Sequence, residues 1–153
     1  MYKSKNQFFV SKKYLVMKNE YISGDILTLR SVQPEDIENI RIWRNAQMDI
    51  LRQNTAITKK EQISYFRKTI WPKMSLKDPS IILLSIFLDN YFVAYGGLVN
   101  ISWINKRAEV SFVSDPKIVE DKKKYCFLFE SFLSQIKNFA FEDLMLNRLF
   151  TET

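Results

Sequence analysis

The chain has 153 residues and an apolar content of 46%, enough for one domain with a hydrophobic core, and a formal net charge of +6. It contains no histidine and a single cysteine, Cys126, which excludes Ser-His and Cys-His nucleophiles, histidine-ligated metals and an intrachain disulfide. We therefore expect no metal site, and acid–base chemistry must rely on Asp, Glu, Tyr, Lys or a bound water.

The segment at residues 1–25 is rich in lysine, with five lysines against Glu20 and Asp25. We interpret it as an N-terminal extension that contributes at most one strand, followed by a domain over residues 26–153. A basic segment of this kind either binds an anionic partner or is solvated, and we favour the solvated extension. No stretch predicts a signal peptide, a membrane span or a nucleic-acid motif, so we expect a cytoplasmic protein.

The first half of the domain predicts one strand and two helices. Residues 26–32 alternate as a strand, and Pro34-Glu35-Asp36 suits a helix start, because proline fits the first turn and acids complement the helix dipole. Thr58 and Glu61 have the spacing of a capping box at the start of the second helix, which Trp71-Pro72 should end. The apolar positions expected to face the core are Ile37, Ile40 and Trp43 in the first helix and Ile63, Phe66 and Ile70 in the second.

The second half predicts three strands, a long helix and a last strand. Residues 80–88 read as a strand covered on both faces, and residues 91–115 as a hairpin bent at 104–106. Gly96-Gly97 predicts a bulge or a close backbone approach. After a charged link at 120–124, a helical stripe faces the core, and residues 149–152 form the last strand. The stripe consists of Tyr125, Leu128, Phe129, Phe132, Leu133, Ile136, Phe139 and Ala140. This order predicts an α+β (mixed α/β layered) domain.

One carboxylate, Glu109, lies in the middle of the second hairpin strand. Residues 107–113 alternate, with Ala108, Val110 and Phe112 on one face and Arg107, Glu109, Ser111 and Val113 on the other. The acid either forms an ion pair with Arg107 or lies on a solvated face, or it is a general base that lines a cleft.

Four pieces of the chain, taken in order, resemble the GNAT superfamily of acyl-CoA N-acyltransferases. They read LTLRSVQPEDIENIRIWRN, ITKKEQISYF, VAYGGLVNISWINKRAEVSFVSDP and NFAFEDLMLNRLFTET, at residues 27–45, 57–66, 93–116 and 138–153. Within this superfamily, the chain is more similar to the branch that acetylates protein N-termini and nucleotide-linked amino sugars than to the other branches. The resemblance implies a central, mostly antiparallel sheet flanked by helices, and transfer of an acetyl group from acetyl-CoA to a primary amine without a metal.

The resemblance also implies where the site lies. Two parallel strands, here residues 107–114 and 148–153, splay apart, and the pantetheine arm of acetyl-CoA pairs with main chain in the gap. Glu109 then takes the amine's proton directly or through water. The cofactor-binding residues implied are Val110, Ser111, Phe112 and Val113, and those on the acceptor side are Arg44, Asn45 and Glu152.

The chain departs from the family in two places. The family's R-G-x-G-x-G/A loop cradles the cofactor pyrophosphate at the head of the long helix, but residues 124–129 contain no glycine. Lys122, Lys123 and Lys124 either substitute point charges for that loop or form a solvated helix start. The family's domain also continues past residue 153, so we expect a truncated domain or a homo-oligomer whose second copy supplies the missing wall. An inactive binding module and a fragment that needs a partner stay open as alternatives.

Overall fold

A single mixed sheet organises the part of the chain that the computed structural model describes, residues 2–3 and 10–152. Its strands are β1 Tyr2–Lys3, β2 Tyr21–Ser23, β3 Leu27–Ser31, β4 Ile82–Leu88, β5 Tyr91–Ser102, β6 Arg107–Ser114 and β7 Arg148–Phe150. The order is β2-β3-β4-β5-β6-β7, with β1 paired to β5. All pairs are antiparallel except β6 with β7, which is parallel. The predicted α+β layered fold is confirmed.

Helices cover both faces of this sheet. A 3₁₀ turn Pro34–Asp36 leads into α1 Ile37–Asn45, and α2 Lys59–Tyr65 continues through a π-helical turn Phe66–Ile70 into α3 Trp71–Lys73. The short α4 Pro116–Val119 precedes α5 Lys122–Asn138, which ends in a second π-helical turn, Phe139–Asp143. No helix within the described residues is long and apolar enough to cross a membrane.

The apolar stripe of α5 packs on one sheet face, as predicted. Leu128, Phe132, Ile136, Phe139 and Ala140 are buried, and the remaining stripe residues are partly buried. Phe112 of β6 anchors this contact, with ring centroids 5.0 Å from Phe132, 5.4 Å from Phe129 and 5.8 Å from Tyr125. Burial of such an aromatic cluster fixes β6 against α5.

The second helix starts where the capping box predicts but does not end there. Thr58 Oγ1 accepts a hydrogen bond from the Glu61 N–H, and Glu61 Oε1 accepts one from the Thr58 N–H. Pro72 does not stop the helix, because a π-helical turn comes just before it and Trp71 N–H donates to the Phe66 carbonyl. The prediction that Ile63 faces the core is wrong: its side chain is 48% exposed. Phe66 and Ile70 do face the core.

Part of the Lys-rich segment belongs to the folded domain. Tyr14 and Met17 are buried among core side chains, and the Tyr14 hydroxyl accepts a hydrogen bond from the Leu83 N–H at 3.0 Å. β2 adds to the sheet by pairing with β3. The segment before residue 26 thus supplies two core side chains and two strands, β1 and β2, rather than the single strand expected.

A buried polar network joins β3, β4 and the start of α1. The Asp36 carboxylate accepts hydrogen bonds from Arg30 Nη1 at 2.5 Å and Nη2 at 3.1 Å, from Ser85 Oγ at 2.7 Å, and from the Gln33 N–H at 2.9 Å. Arg30 also lies 4.8 Å from the Phe87 ring centroid. A buried charge needs such a set of partners, and this one fixes α1 on the sheet.

Candidate active site

The parallel strands β6 and β7 pair over three residues only. Arg107, Ala108 and Glu109 are in register with Arg148, Leu149 and Phe150, whereas β6 continues to Ser114. Over the remaining residues of β6, no described strand lies on the β7 side. The sheet is therefore open along this edge of β6.

Two hydrogen bonds at the C-terminal end of β6 show which main-chain groups face the open edge. Asp115 N–H donates to Val93 of β5, whereas the Ser114 carbonyl accepts from Gln47 Nε2 on the other side. Successive residues of a strand direct their N–H and C=O groups to opposite edges. The N–H and C=O groups of the even-numbered residues of β6 thus point toward β7 and the open edge. The ladder with β7 ends at the pair Glu109 and Phe150, so the N–H of Val110 is the last that β7 can accept. The N–H of Phe112 is therefore the first on this edge without a partner strand.

Two glycines bring β5 close to its neighbours opposite this amide. Gly96 pairs with Phe112, and a Cβ at Gly96 would lie 2.1 Å from the Ser111 carbonyl oxygen. Gly97 has a φ of +135°, and a Cβ there would lie 2.2 Å from the Ile82 oxygen. The predicted close backbone approach is confirmed, since neither register shift in the pairing of β5 involves these glycines: one lies opposite Ile86 and Phe87 of β4 and the other between Val99 and Ser102.

A cavity of about 490 Å³, here called the inner cavity, lies between α1, α2 and the sheet face opposite α5. Ser111 of β6 lines it, so β6 connects the open edge to this cavity. Its walls are mostly apolar with a few polar groups, which is typical of small-molecule sites. The lining residues are Ile40, Arg44, Ile57, Glu61, Gln62, Tyr65, Phe66, Ile70, Ile81, Leu83, Tyr95, Val99 and Ser111.

Arg44 and Tyr95 form the polar centre of the inner cavity. Arg44 Nη1 donates to the Tyr95 hydroxyl at 2.9 Å. Burial of Tyr95 raises the pKa of its hydroxyl above the usual value, even though Arg44 acts in the opposite direction. The hydroxyl therefore stays protonated at neutral pH. Sequence reasoning did not select Tyr95, because it sits within a nearly continuous apolar strand.

Glu109 shares the sheet face of the inner cavity but is not among its lining residues. It pairs across the sheet with Val99, which lines the cavity. Its carboxylate accepts a hydrogen bond from Asn100 Nδ2 at 2.6 Å, and no ion pair with Arg107 is formed. Glu109 therefore lies where β6 is still paired with β7, and its carboxylate is bonded to Asn100 of β5.

Asn45 and Glu152 lie apart from the inner cavity. The Asn45 side chain binds the main chain of Ile57, accepting from its N–H at 2.8 Å and donating to its carbonyl at 2.9 Å. It also accepts from Gln53. Glu152 is exposed beyond β7. Asn45 therefore holds the loop before α2 and shapes the cavity through Ile57.

The head of α5 carries a carboxylate where the resemblance predicts a glycine loop. Asp121 caps the helix by accepting from the Lys124 N–H at 3.2 Å. Lys122 and Lys123 are exposed and Lys124 is partly exposed. The cap uses one amide of the helix end, and the lysine ammonium groups add full positive charges to the partial positive charge of the other first-turn amides.

Comparisons with known proteins bear on the fold and the family. A family model described as an acetyltransferase (GNAT) domain matches residues 29–153. Spermidine N-acetyltransferase from Vibrio cholerae, solved with CoA and spermine, is 18% identical, with a TM-score of 0.66 over 84% of this chain and 71% of that one. A V. cholerae protein provisionally named a ribosomal-protein-serine acetyltransferase is 16% identical, with a TM-score of 0.62 over 86% and 72%. A search of curated proteins found no match.

Proposed function

The chain belongs to the GNAT acetyltransferase family, and we propose that it transfers an acetyl group from acetyl-CoA to a primary amine, either of a nucleotide-linked amino sugar or of a protein N-terminus. The observation that carries the proposal is the open edge of β6, with the inner cavity on the adjoining sheet face. The edge offers main-chain groups to the pantetheine arm. The cavity offers room for an acceptor beside them.

The chemistry needs a donor for the thioester oxygen and an acceptor for the amine's proton. The Phe112 N–H donates to the thioester carbonyl oxygen and stabilises the negative charge that develops there as the amine attacks. Glu109 takes the amine's proton through a water molecule. The amine nitrogen adds to the thioester carbon, the C–S bond then breaks, and the leaving CoA sulfur takes a proton from water, so that the products are the acetylated amine and the CoA thiol.

The four predicted cofactor-binding residues of β6 divide into two pairs by this geometry. Val110 and Phe112 direct main-chain groups to the open edge, where they can meet the pantetheine amides. Ser111 and Val113 direct their main-chain groups to β5 instead, where they are in register with Gly97 and Tyr95, so their contribution is through side chains. For the pyrophosphate we propose the ammonium groups of residues 122–124, because these are the cations at the head of α5.

An inactive binding module is the second candidate, and the Asp121 cap favours it. A carboxylate at the head of α5 repels a pyrophosphate that the missing glycine loop would otherwise hold. The two candidates differ in acetyl-CoA binding. If the chain unfolds cooperatively and acetyl-CoA does not change its Tm, the inactive module is supported.

The test is a thermal-shift titration of the 153-residue chain with acetyl-CoA and with CoA, followed by transfer assays on amines. Linkage predicts roughly 2.7 kcal/mol of stabilisation at a ligand concentration 100 times the dissociation constant, a shift of several degrees for a domain of this size. A saturable shift together with release of CoA thiol in the presence of an amine supports the enzyme. A saturable shift without thiol release for any amine contradicts it.

A further inference from the structure

A second cavity, here called the outer groove, adjoins the inner cavity along α2. Its volume is about 500 Å³, and it shares Glu61 and Tyr65 with the inner cavity. The other lining residues are Lys60, Ser64, Lys68 and Thr69. A molecule bound in the inner cavity can therefore extend past Tyr65, whose side chain is 48% exposed, into the outer groove.

The two cavities together carry an excess of positive charge. Arg44, Lys60 and Lys68 line them, against one carboxylate, Glu61. Arg44 donates to a neutral hydroxyl, and neither lysine forms an ion pair within the described part of the chain. One Glu61 oxygen already accepts from the Thr58 N–H. Cations without carboxylate partners attract anions.

The outer groove also offers hydroxyl donors. Ser64 and Thr69 are partly buried, and among the described residues neither hydroxyl has a hydrogen-bond partner. Lys68 and Thr69 belong to the π-helical turn of α2, an irregularity that often accompanies functional sites. Ammonium groups beside free hydroxyls suit a phosphate or a carboxylate, whose oxygens accept several hydrogen bonds.

We propose that the acceptor amine carries an anionic group, a phosphate or a carboxylate, which binds Lys60 and Lys68 in the outer groove while the amine end lies in the inner cavity. The inference rests on the proposed function, since it assigns one acceptor to both cavities. An anionic acceptor would distinguish this chain from the spermidine N-acetyltransferase of V. cholerae, which was solved with the cationic amine spermine. A polyamine would bring its ammonium groups next to Arg44 and the two lysines.

Isothermal titration calorimetry tests the inference by measuring the affinity of the full chain, without acetyl-CoA, for each of four amines. Glucosamine 6-phosphate and muramic acid carry a phosphate and a carboxylate, respectively, whereas glucosamine and spermidine carry no anion. One of the two anionic amines should bind at least roughly tenfold more tightly than glucosamine, because a charge-assisted hydrogen bond contributes that much. Which of them does so identifies the group. Equal binding of all four, tighter binding of spermidine, or no binding of either anionic amine overturns the inference.

Lysine variants show whether the outer groove is responsible. Lys60→Gln and Lys68→Gln should each reduce the preference for the anionic amine to below about threefold, whereas Lys137→Gln, an exposed lysine of α5, should leave it unchanged. All three replace exposed side chains, and thermal melts confirm that each variant folds. An undiminished preference in Lys60→Gln and Lys68→Gln contradicts the assignment.

Transfer assays on the same amines keep the two proposals apart. Lysine-dependent binding of an anionic amine, without acetylation of any amine, retains the outer groove and rejects the proposed enzyme. Acetylation of glucosamine or spermidine at a rate independent of Lys60 and Lys68 retains the enzyme and rejects the outer groove as its acceptor subsite.

Discussion

Replacement of Asp36 by Asn tests whether the buried polar network holds α1 on the sheet. The carboxylate and Arg30 are both fully buried, and Asp36 accepts four hydrogen bonds from Arg30, Ser85 and Gln33. Removing one charge of a buried pair costs about 3–5 kcal/mol. Glu35 lies 4.0 Å from Arg30 Nη2 and offers partial compensation, so we expect the lower end, about 3 kcal/mol.

Chemical and thermal unfolding measure this loss. For a domain of this length, about 3 kcal/mol corresponds to a fall in Tm of roughly 6–12 °C. Glu38→Gln is the matched control, because Glu38 is an acid on the same helix whose side chain is 46% exposed in its ion pair with Arg41. The double variant Arg30→Met with Asp36→Asn should recover part of the loss, since no buried charge is left. A Tm for Asp36→Asn equal to that of the control would refute the reasoning.

Three further predictions concern the strands and the core. Glu109→Gln should lower kcat at least about tenfold without changing acetyl-CoA binding in thermal-shift titrations. An unchanged kcat would show that Glu109 is not the base and that its carboxylate only binds Asn100. Gly96→Ala should destabilise the chain by about 1–3 kcal/mol in urea titrations, since its Cβ would lie 2.1 Å from the Ser111 oxygen; an unaltered midpoint means the strands can separate there. Burial raises the pKa of Tyr14 above its ordinary value of 10.0, so the folded chain retains a proton that the unfolded chain loses, and stability falls as the pH rises above that value. In Tyr14→Phe the free energy of unfolding should fall less steeply with rising pH. An equal slope in the variant and the unsubstituted chain would show that Tyr14 is not the cause.

The features that the sequence predicted correctly depend on neighbours along the chain. The capping pair Thr58 and Glu61 lies within one helical turn, and Pro34 fits the first turn of its helix whatever packs around it. The alternation in β6 likewise requires only the two-residue period of a strand. The same alternation placed Glu109 on the face opposite Ala108, as the cross-strand pairing with Val99 confirms.

The features that it missed depend on distant parts of the chain. Tyr14 is buried because its hydroxyl meets the Leu83 N–H, 69 positions away, and nothing near residue 14 indicates that contact. Proline lacks an N–H and usually ends a helix, but a π-helical turn precedes Pro72 and the helix continues to Lys73. Tyr95 becomes a site residue only when Arg44, 51 positions away, approaches it.

One strand, β6, serves both parts of the proposed reaction. Its main-chain groups face the open edge at Phe112, while the side chain of the preceding residue, Ser111, faces the inner cavity. The close approach of Gly96 to Ser111 fixes the distance of β6 from β5, and the Phe112 ring is held by α5. Changes to the Ser111 side chain should therefore act on the acceptor. Changes that move the backbone, such as a side chain at Gly96, should act on acetyl-CoA and the acceptor together.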